Sequence, residues 1–132
     1  MENIDKVRMT RILRKYLGKP VDYGQLDCNL AFLEIHEPEM YETLSGRYTT
    51  TKGGARVAKK EYGVYSILEF VNHSFKYDQI PVEFAQYGDV IIDDVSVAIC
   101  LGNKSFSMHN DIFCIVNTHA LFKAKCYRKV IR

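Results

Sequence analysis

The chain has 132 residues, of which 47% are hydrophobic and 26% are charged, and this composition excludes an intrinsically disordered protein. Its length suits one compact domain over residues 1–132, which would bury roughly two-thirds of the unfolded surface. The net charge of +2 is too small for the concentrated positive field that nucleic-acid-binding domains carry, so we expect no nucleic-acid partner.

Cysteine spacing and hydropathy narrow the class of protein further. Cys28, Cys100, Cys114 and Cys126 form no CxxC pair, and no histidine stands at metal-ligand spacing from them. We therefore expect reduced thiols, with no bound metal and no other cofactor. No apolar run approaches the ~20 residues that a membrane-spanning helix needs, and the N-terminus lacks the pattern of a signal peptide. We expect synthesis in a cytoplasm and no insertion into a membrane.

The first third of the chain predicts two helices. Apolar residues recur at mostly helical spacing over Ile4–Leu17, and Gly18 predicts the end of this helix. A second helix is predicted over residues 27–35. Asp27 is its expected N-cap, and Pro38 prevents much continuation.

Two more helices are predicted before the strands begin. Thr50 or Thr51 can cap a third helix, which should end near Gly63. The apolar residues of segment 64–71 predict a fourth, short helix, and residues 72–79 are predicted to form a loop.

From Asp89 onward the pattern becomes alternating and rich in β-branched residues, which is typical of strands. Helices followed by a meander of strands predict an α+β fold, with the helices packed on a C-terminal antiparallel sheet. The predicted strands are Val90–Ile92, Val95–Leu101, Lys104–His109, Ile112–Asn117 and Lys123–Val130.

Gly102 and Asn103 predict a two-residue hairpin turn, because both residue types tolerate positive φ. In that register Val97 faces Met108 and Ile99 faces Phe106, which forms an apolar face suited to the core. The other face carries small or polar residues and could line a site. Its predicted pairs are Ser96 with His109, Ala98 with Ser107 and Cys100 with Ser105.

The segment Tyr23-Gly24-Gln25-Leu26-Asp27-Cys28 places a cysteine in the first turn of the second helix. A helix N-terminus carries partial positive charge and unsatisfied amide donors, which favour a thiolate and could stabilise an oxyanion. Cys28 is therefore a candidate nucleophile. Gln25 could donate a hydrogen bond to the oxyanion, and the alternative is that it is a solvated loop residue.

Three segments together resemble the NlpC-type cell-wall peptidases. They are Tyr23–Cys28, Tyr87-Gly88-Asp89-Val90-Ile91 and Val97-Ala98-Ile99-Cys100-Leu101-Gly102-Asn103. The resemblance implies a papain-like cysteine-peptidase fold. It also implies an activity on peptide bonds in the stem peptides of peptidoglycan, commonly next to a D-glutamyl residue.

The resemblance is closer to a small branch of this superfamily that is found in phage genomes and prophages, usually among tail genes. In that branch Tyr-Gly-x-x-Asp-Cys is followed by a Gly-Arg-Tyr segment, here Gly46-Arg47-Tyr48. A Pro then precedes Gly-Asp-Val, here Pro81 and Gly88-Asp89-Val90, and a strand ends Cys100-Leu101-Gly102. The likeness covers about residues 4–130 and implies a virion protein of the tail.

The resemblance gives Cys28 the nucleophile position, but the general base of these peptidases, a histidine, is replaced here by Ser96. Serine cannot accept a thiol proton near neutral pH as an imidazole can. His109 aligns approximately with the family's third polar residue and is the candidate displaced base, with Ser96 or Asn117 as its partner. The alternative is a degenerate site in which Cys28 and His109 have no catalytic role. The candidate substrate-binding residues are Tyr23, Gln25 and Ser96.

Two functions therefore follow from the sequence. The first is a structural or docking component of a phage tail, which retains the peptidase fold with a degenerate site. The second is an active tail-associated peptidoglycan peptidase that uses Cys28 and His109. Other tail proteins are the expected partners, and peptidoglycan fragments are a further candidate. A bacterial enzyme unrelated to phage is the third alternative.

Overall fold

The computed structural model of the chain describes residues 5–94 and 96–130. Ile4, at the start of the first predicted helix, and Val95, at the start of a predicted strand, lie outside the described residues. The helices are α1 (Lys6–Arg14), α2 (Cys28–His36), α3 (Pro38–Leu44), α4 (Thr51–Tyr62) and α5 (Ile67–His73). The strands are β1 (Tyr77–Ile80), β2 (Val90–Ile92), β3 (Val97–Cys100), β4 (Lys104–His109), β5 (Ile112–Asn117) and β6 (Lys125–Lys129).

The helices come first along the chain, and the strands form one antiparallel sheet with the order β1-β6-β2-β3-β4-β5. The predicted α+β class is therefore confirmed. The last strand, β6, lies between β1 and β2, so the sheet is completed only when the C-terminal part of the chain is in place. None of the helices in the described part of the chain has the length and apolar character that a membrane crossing requires.

The predicted helix boundaries rest on local capping chemistry, and those of α2 and α4 are confirmed, whereas α1 ends at Arg14, before the predicted Gly18. Asp27 caps α2, and the Thr50 side chain caps α4 by accepting a hydrogen bond from the backbone N–H of Gly53. Gly63 ends α4 in the left-handed conformation at φ +77°. The fourth predicted helix, now α5, begins a little later than expected because Ser66 caps it.

Two elements are absent from the sequence-based prediction. Helix α2 ends at His36, in agreement with the prediction from Pro38, but a further helix, α3, begins at this proline. The missing N–H of Pro38 costs nothing there, because that group would have no partner inside the helix. Strand β1 lies within the predicted loop over residues 72–79. It is an edge strand that pairs with β6, for example through Tyr77 and Lys129, so a distant segment stabilises it.

The hairpin between β3 and β4 has the predicted register at its turn, where Ile99 pairs with Phe106 and Cys100 with Ser105. Among the described residues these are the only two pairs of this ladder. The predicted pairing of Ser96 with His109 is therefore wrong. On its other edge, β4 pairs with β5 along its whole length, from Lys104 with Asn117 to His109 with Ile112.

The two faces of the sheet are both covered. Val97, Ile99 and Phe106 pack against the helices in the main core, as predicted. On the opposite face Ala98 and Cys100 belong to a second apolar cluster, which was expected to line a site. That expectation is wrong, because 3-10 turns at Val82–Phe84 and Thr118–Leu121 contribute side chains that cover this face. The face that is open to a cleft is the one toward the helices.

Candidate functional site

The turn before α2 is organised around the carboxylate of Asp27, which is only 2% exposed. This carboxylate accepts hydrogen bonds from the backbone N–H groups of Leu30, at 2.8 Å, and of Gly24, at 3.0 Å. The hydroxyl of Tyr48 donates a third hydrogen bond to it at 2.7 Å. The predicted N-cap role of Asp27 is confirmed, and the same side chain also ties the preceding turn and a distant loop to the start of the helix.

Tyr48 is a residue of this site that reasoning from local pattern did not assign to it. Its backbone lies so close to Gly24 that a Cβ atom at position 24 would come within 1.8 Å of the Tyr48 carbonyl oxygen. Gly24 also has φ +89°, and its carbonyl accepts a hydrogen bond of 2.7 Å from the N–H of Gly46. The one sequence signal was the joint occurrence of the Tyr-Gly-x-x-Asp-Cys and Gly-Arg-Tyr segments, which the fold brings into contact. Burial and the neighbouring Asp27 raise the pKa of the Tyr48 hydroxyl, so it remains a donor to this carboxylate.

Cys28 is the first residue of α2, and it is 8% exposed against the start of β3. The pKa of its thiol is raised to about 11, mainly by burial and also by the adjacent Asp27, although backbone N–H groups of Val97, Cys28 and Asn29 act in the opposite direction. The helix-end N–H groups of Cys28 and Asn29 lower this pKa, as expected, but the net shift is upward. Desolvation outweighs the helix-end donors, and the thiol stays protonated at neutral pH.

A cavity of about 290 Å³, here called the Cys28 cleft, opens beside this thiol. Two of the predicted substrate-binding residues, Tyr23 and Ser96, line the cleft together with Cys28, whereas Gln25 is exposed in the turn and does not. The backbone N–H and the hydroxyl of Ser96 both donate to the carboxylate of Asp93, at 2.8 and 3.3 Å. The hydroxyl of Ser96 thus has a structural partner in the turn before β3.

His109 is not brought to the Cys28 cleft. It is exposed at the end of β4, and the residue of β4 that lines the cleft is Met108. Because successive side chains of a strand point to opposite faces, His109 is directed away from the face that Cys28 contacts.

None of the other imidazoles in residues 5–94 and 96–130 lines the cleft either. His36 is buried, with its Nε2 atom 2.8 Å from the carbonyl oxygen of Gly88, and His73 and His119 are exposed at the surface. These described residues also hold no group of three or more His, Cys, Asp or Glu side chains suited to a metal ion. The cleft therefore presents a thiol, carboxylates and hydroxyls, without a proton acceptor suited to activating the thiol.

A family model described as "Domain of unknown function (DUF6950)" matches residues 3–126. The match covers the turn before α2, the Gly46-Arg47-Tyr48 segment and every strand up to the first residues of β6. A search of curated proteins gave no significant match.

Proposed function

We propose that this chain, which belongs to the DUF6950 family, is a non-catalytic relative of the NlpC-type peptidases and acts as a structural or docking component of a phage tail. The proposed loss of catalysis rests on one observation: no imidazole is present among the described residues that line the Cys28 cleft. A papain-like fold for this chain and its placement in a tail are parts of the same proposal. Both are supported by the motif resemblance, and the helices followed by an antiparallel sheet agree with it.

The chemistry of thiol attack explains why the missing imidazole matters. A cysteine peptidase needs the thiolate, and then an acid that protonates the leaving amine. With its pKa raised to about 11, the thiol of Cys28 is almost entirely neutral at pH 7. Ser96, which lines the cleft at the position of the base, cannot take the proton, and its hydroxyl donates to Asp93.

The alternative is an active peptidoglycan peptidase that uses Cys28 as the nucleophile and His109 as a displaced base. Its specific support is the set of backbone N–H groups near the Cys28 sulfur, which belong to Val97, Cys28 and Asn29 and could hold an oxyanion. This alternative requires the end of β4 to rearrange so that His109 enters the cleft.

Turnover of purified peptidoglycan stem peptides tests the two functions against each other. We expect no product from the wild-type chain above the level of the Cys28→Ala variant, because the thiol is neutral and has no base. Product formation by the wild type that is lost in both Cys28→Ala and His109→Ala would overturn the non-catalytic proposal. His119→Ala is the matched control, since His119 is another exposed histidine outside the cleft.

The tail assignment has its own test, which is independent of catalysis. Mass spectrometry of purified virions from a host strain that carries the gene should detect the chain together with tail proteins. If the chain is found only in the infected cell lysate and never in the particles, a structural role in the tail is wrong.

A further inference from the structure

A second cavity, of about 220 Å³, lies next to the Cys28 cleft and is enclosed by α2, α3, α4 and α5. We call it the apolar chamber. Cys28 does not line it, and most of its wall is aliphatic or aromatic. The apolar residues that form the wall include Leu33, Met40, Leu44, Ala55, Ala58 and Phe70.

Helix α4 closes the apolar chamber with small side chains. It has no fully buried residue, whereas each of the other helices buries at least two. Its inner side carries Gly54, Ala55 and Ala58, all partly exposed. Close packing is the norm in protein interiors, and an unfilled apolar space gives up the dispersion contacts that its walls could make. The wall atoms of the chamber can recover those contacts from a bound apolar group.

Specific contacts hold α4 at both of its ends. The Thr50 cap and the contact of Gly54 with the ring of Tyr48 fix its first turn. The ion pair of Arg47 with Glu61, at 2.8 Å, fixes its last turn. Between these ends, Val57 and Ala58 are only partly buried against the main core, and Ala55 and Ala58 line the chamber.

The chamber and the Cys28 cleft are neighbours that share a rim. The rim consists of Tyr23, Asp27, Asn29, Thr51, Ser66 and Ile67. Beyond it, Asp93 and Asp94 line the cleft. Among the described residues, no Lys, Arg or His side chain lines either cavity. An occupant that spans both therefore meets an apolar wall first, then hydrogen-bonding groups, and then negative charge.

The size of the chamber limits what it can hold. Pockets for complete small-molecule ligands measure about 300–1,000 Å³, and the chamber is smaller, at about 220 Å³. It suits a single aliphatic or aromatic group. Buried anchors of this kind, surrounded by polar contacts, are how protein surfaces commonly hold a partner segment.

We propose that the apolar chamber takes one aliphatic or aromatic side chain of a partner peptide, and that a neighbouring basic residue of this peptide lies in the Cys28 cleft against Asp93 and Asp94. The inference rests on the proposed docking function and names the chemistry of the segment that docks. It does not depend on the identity of the tail protein that supplies the segment.

The probe peptide is acetyl-leucyl-lysine amide, titrated into the isotope-labelled chain and followed by NMR. The largest shift changes should fall on Ala55, Ala58 and Val64, which line the chamber. Acetyl-seryl-lysine amide, which lacks the apolar anchor, and acetyl-leucyl-glutamate amide, which reverses the charge, should each bind at least about 10-fold more weakly.

A chamber-filling variant supplies the structural test. Ala58→Leu puts an aliphatic side chain into the chamber and should lower affinity for the leucyl peptide at least about 10-fold, while the thermal transition stays cooperative. Lys60→Leu is the matched control: the same side chain is added on the exposed side of α4, and binding should match the wild type. Should Ala58→Leu fail to fold, Ala55→Val makes a smaller filling change in the same wall. Asp94→Asn should weaken the preference for lysine over glutamate.

Three results would overturn the inference: equal affinity for the leucyl and seryl peptides, shift changes that fall away from the chamber, or no saturable binding up to roughly 10 mM. Stem-peptide hydrolysis by the wild type would defeat the non-catalytic function but would leave these binding results unchanged. The two failures are therefore distinguishable.

Discussion

Two buried carboxylates in this chain each lie next to a buried cysteine, one pair at the candidate site and the other in the second apolar cluster. Asp27 precedes Cys28 at the start of α2, and Asp89 approaches Cys126 with 3.7 Å between its Oδ2 and the sulfur. Burial first, and then the neighbouring carboxylate, raises the pKa of both thiols, to about 11 for Cys28 and about 12 for Cys126. In the Asp-Cys pair that resembles a catalytic motif, the pKa of the thiol is therefore raised by the same two causes as in the pair of the second apolar cluster.

The two pairs differ in what compensates the carboxylate. Asp27 is held by two backbone N–H groups and the hydroxyl of Tyr48, all neutral donors. Asp89 accepts one backbone hydrogen bond, from the N–H of Gln86 at 2.8 Å, and is paired with the guanidinium of Arg128, whose Nε lies 3.0 Å from one carboxylate oxygen and whose Nη2 lies 2.8 Å from the other. All the donors to Asp27 are neutral, whereas Asp89 combines a neutral local donor with a cation from a distant strand.

The largest expected effect is therefore at the ion pair. Arg128→Met removes the cation and leaves the Asp89 carboxylate, which is 3% exposed, buried without its partner. We expect the free energy of unfolding to fall by about 3–5 kcal/mol, as measured by urea denaturation. Lys125→Met is the control, because Lys125 is an exposed cation of the same strand and should change stability little. A small effect of Arg128→Met would mean that Asp89 does not need its cation.

Removing the other carboxylate should cost less. Asp27→Ala deletes the cap of α2 and leaves three donors without their acceptor, so we expect a loss of about 2–3 kcal/mol in unfolding free energy. Asp22→Ala changes an exposed carboxylate of the same turn and should be close to neutral. Equal losses in the two variants would show that the cap is not what stabilises this turn.

The pH dependence of the free energy of unfolding tests the raised pKa of the Cys28 thiol. The pKa of the thiol is raised on folding, from 9.0 to about 11, so folding favours its neutral form. This contribution is complete below pH 9 and is lost as the pH rises toward 11. The stability difference between the wild type and Cys28→Ala should therefore be constant at lower pH and should change across this window by an amount on the order of 2 kcal/mol. A stability difference that stays constant through pH 11 would contradict a raised pKa for the Cys28 thiol.

Thiol labelling ranks the two cysteines directly. Cys28 lines an open cleft and has the lower pKa, so iodoacetamide should modify it at a lower pH than Cys126, although both should resist labelling at neutral pH. Mass spectrometry of the labelled peptides measures the order. Fast labelling of Cys28 at pH 7 would indicate an activated thiolate and would favour the peptidase alternative.

The smallest expected effect is at the hydroxyl of Tyr48. Tyr48→Phe removes one of the three donors to Asp27 and keeps the ring in place, so we expect a loss of about 1 kcal/mol. Tyr65→Phe is the matched control, since Tyr65 is 57% exposed and should be nearly neutral. A loss as large as that of Asp27→Ala would mean that this one hydrogen bond accounts for the whole stabilising effect of the Asp27 carboxylate.

Prediction from sequence succeeded where the structure depends on neighbours along the chain. The Asp27 and Thr50 caps, the end of α4 at Gly63 and the register at the Gly102-Asn103 turn are each set by interactions within a few residues. Edge strand β1 was missed because it needs β6, whose pairing residues lie about fifty positions later. The pairing of Ser96 with His109 was wrong because the ladder between β3 and β4, among the described residues, stops at Ile99 and Phe106.

At the candidate site, too, local interactions could be predicted from the sequence, whereas contacts between distant segments could not. The sequence by itself determined that Asp27 caps a helix and that Cys28 stands at its start, because capping is a matter of three or four residues. Only the tertiary structure decided that the thiol is buried and neutral, that Tyr48 joins the Asp27 carboxylate, and that Met108 rather than His109 lines the cleft. Proton affinity and access depend on desolvation and on which strand face meets which helix, and both are properties of packing between distant segments.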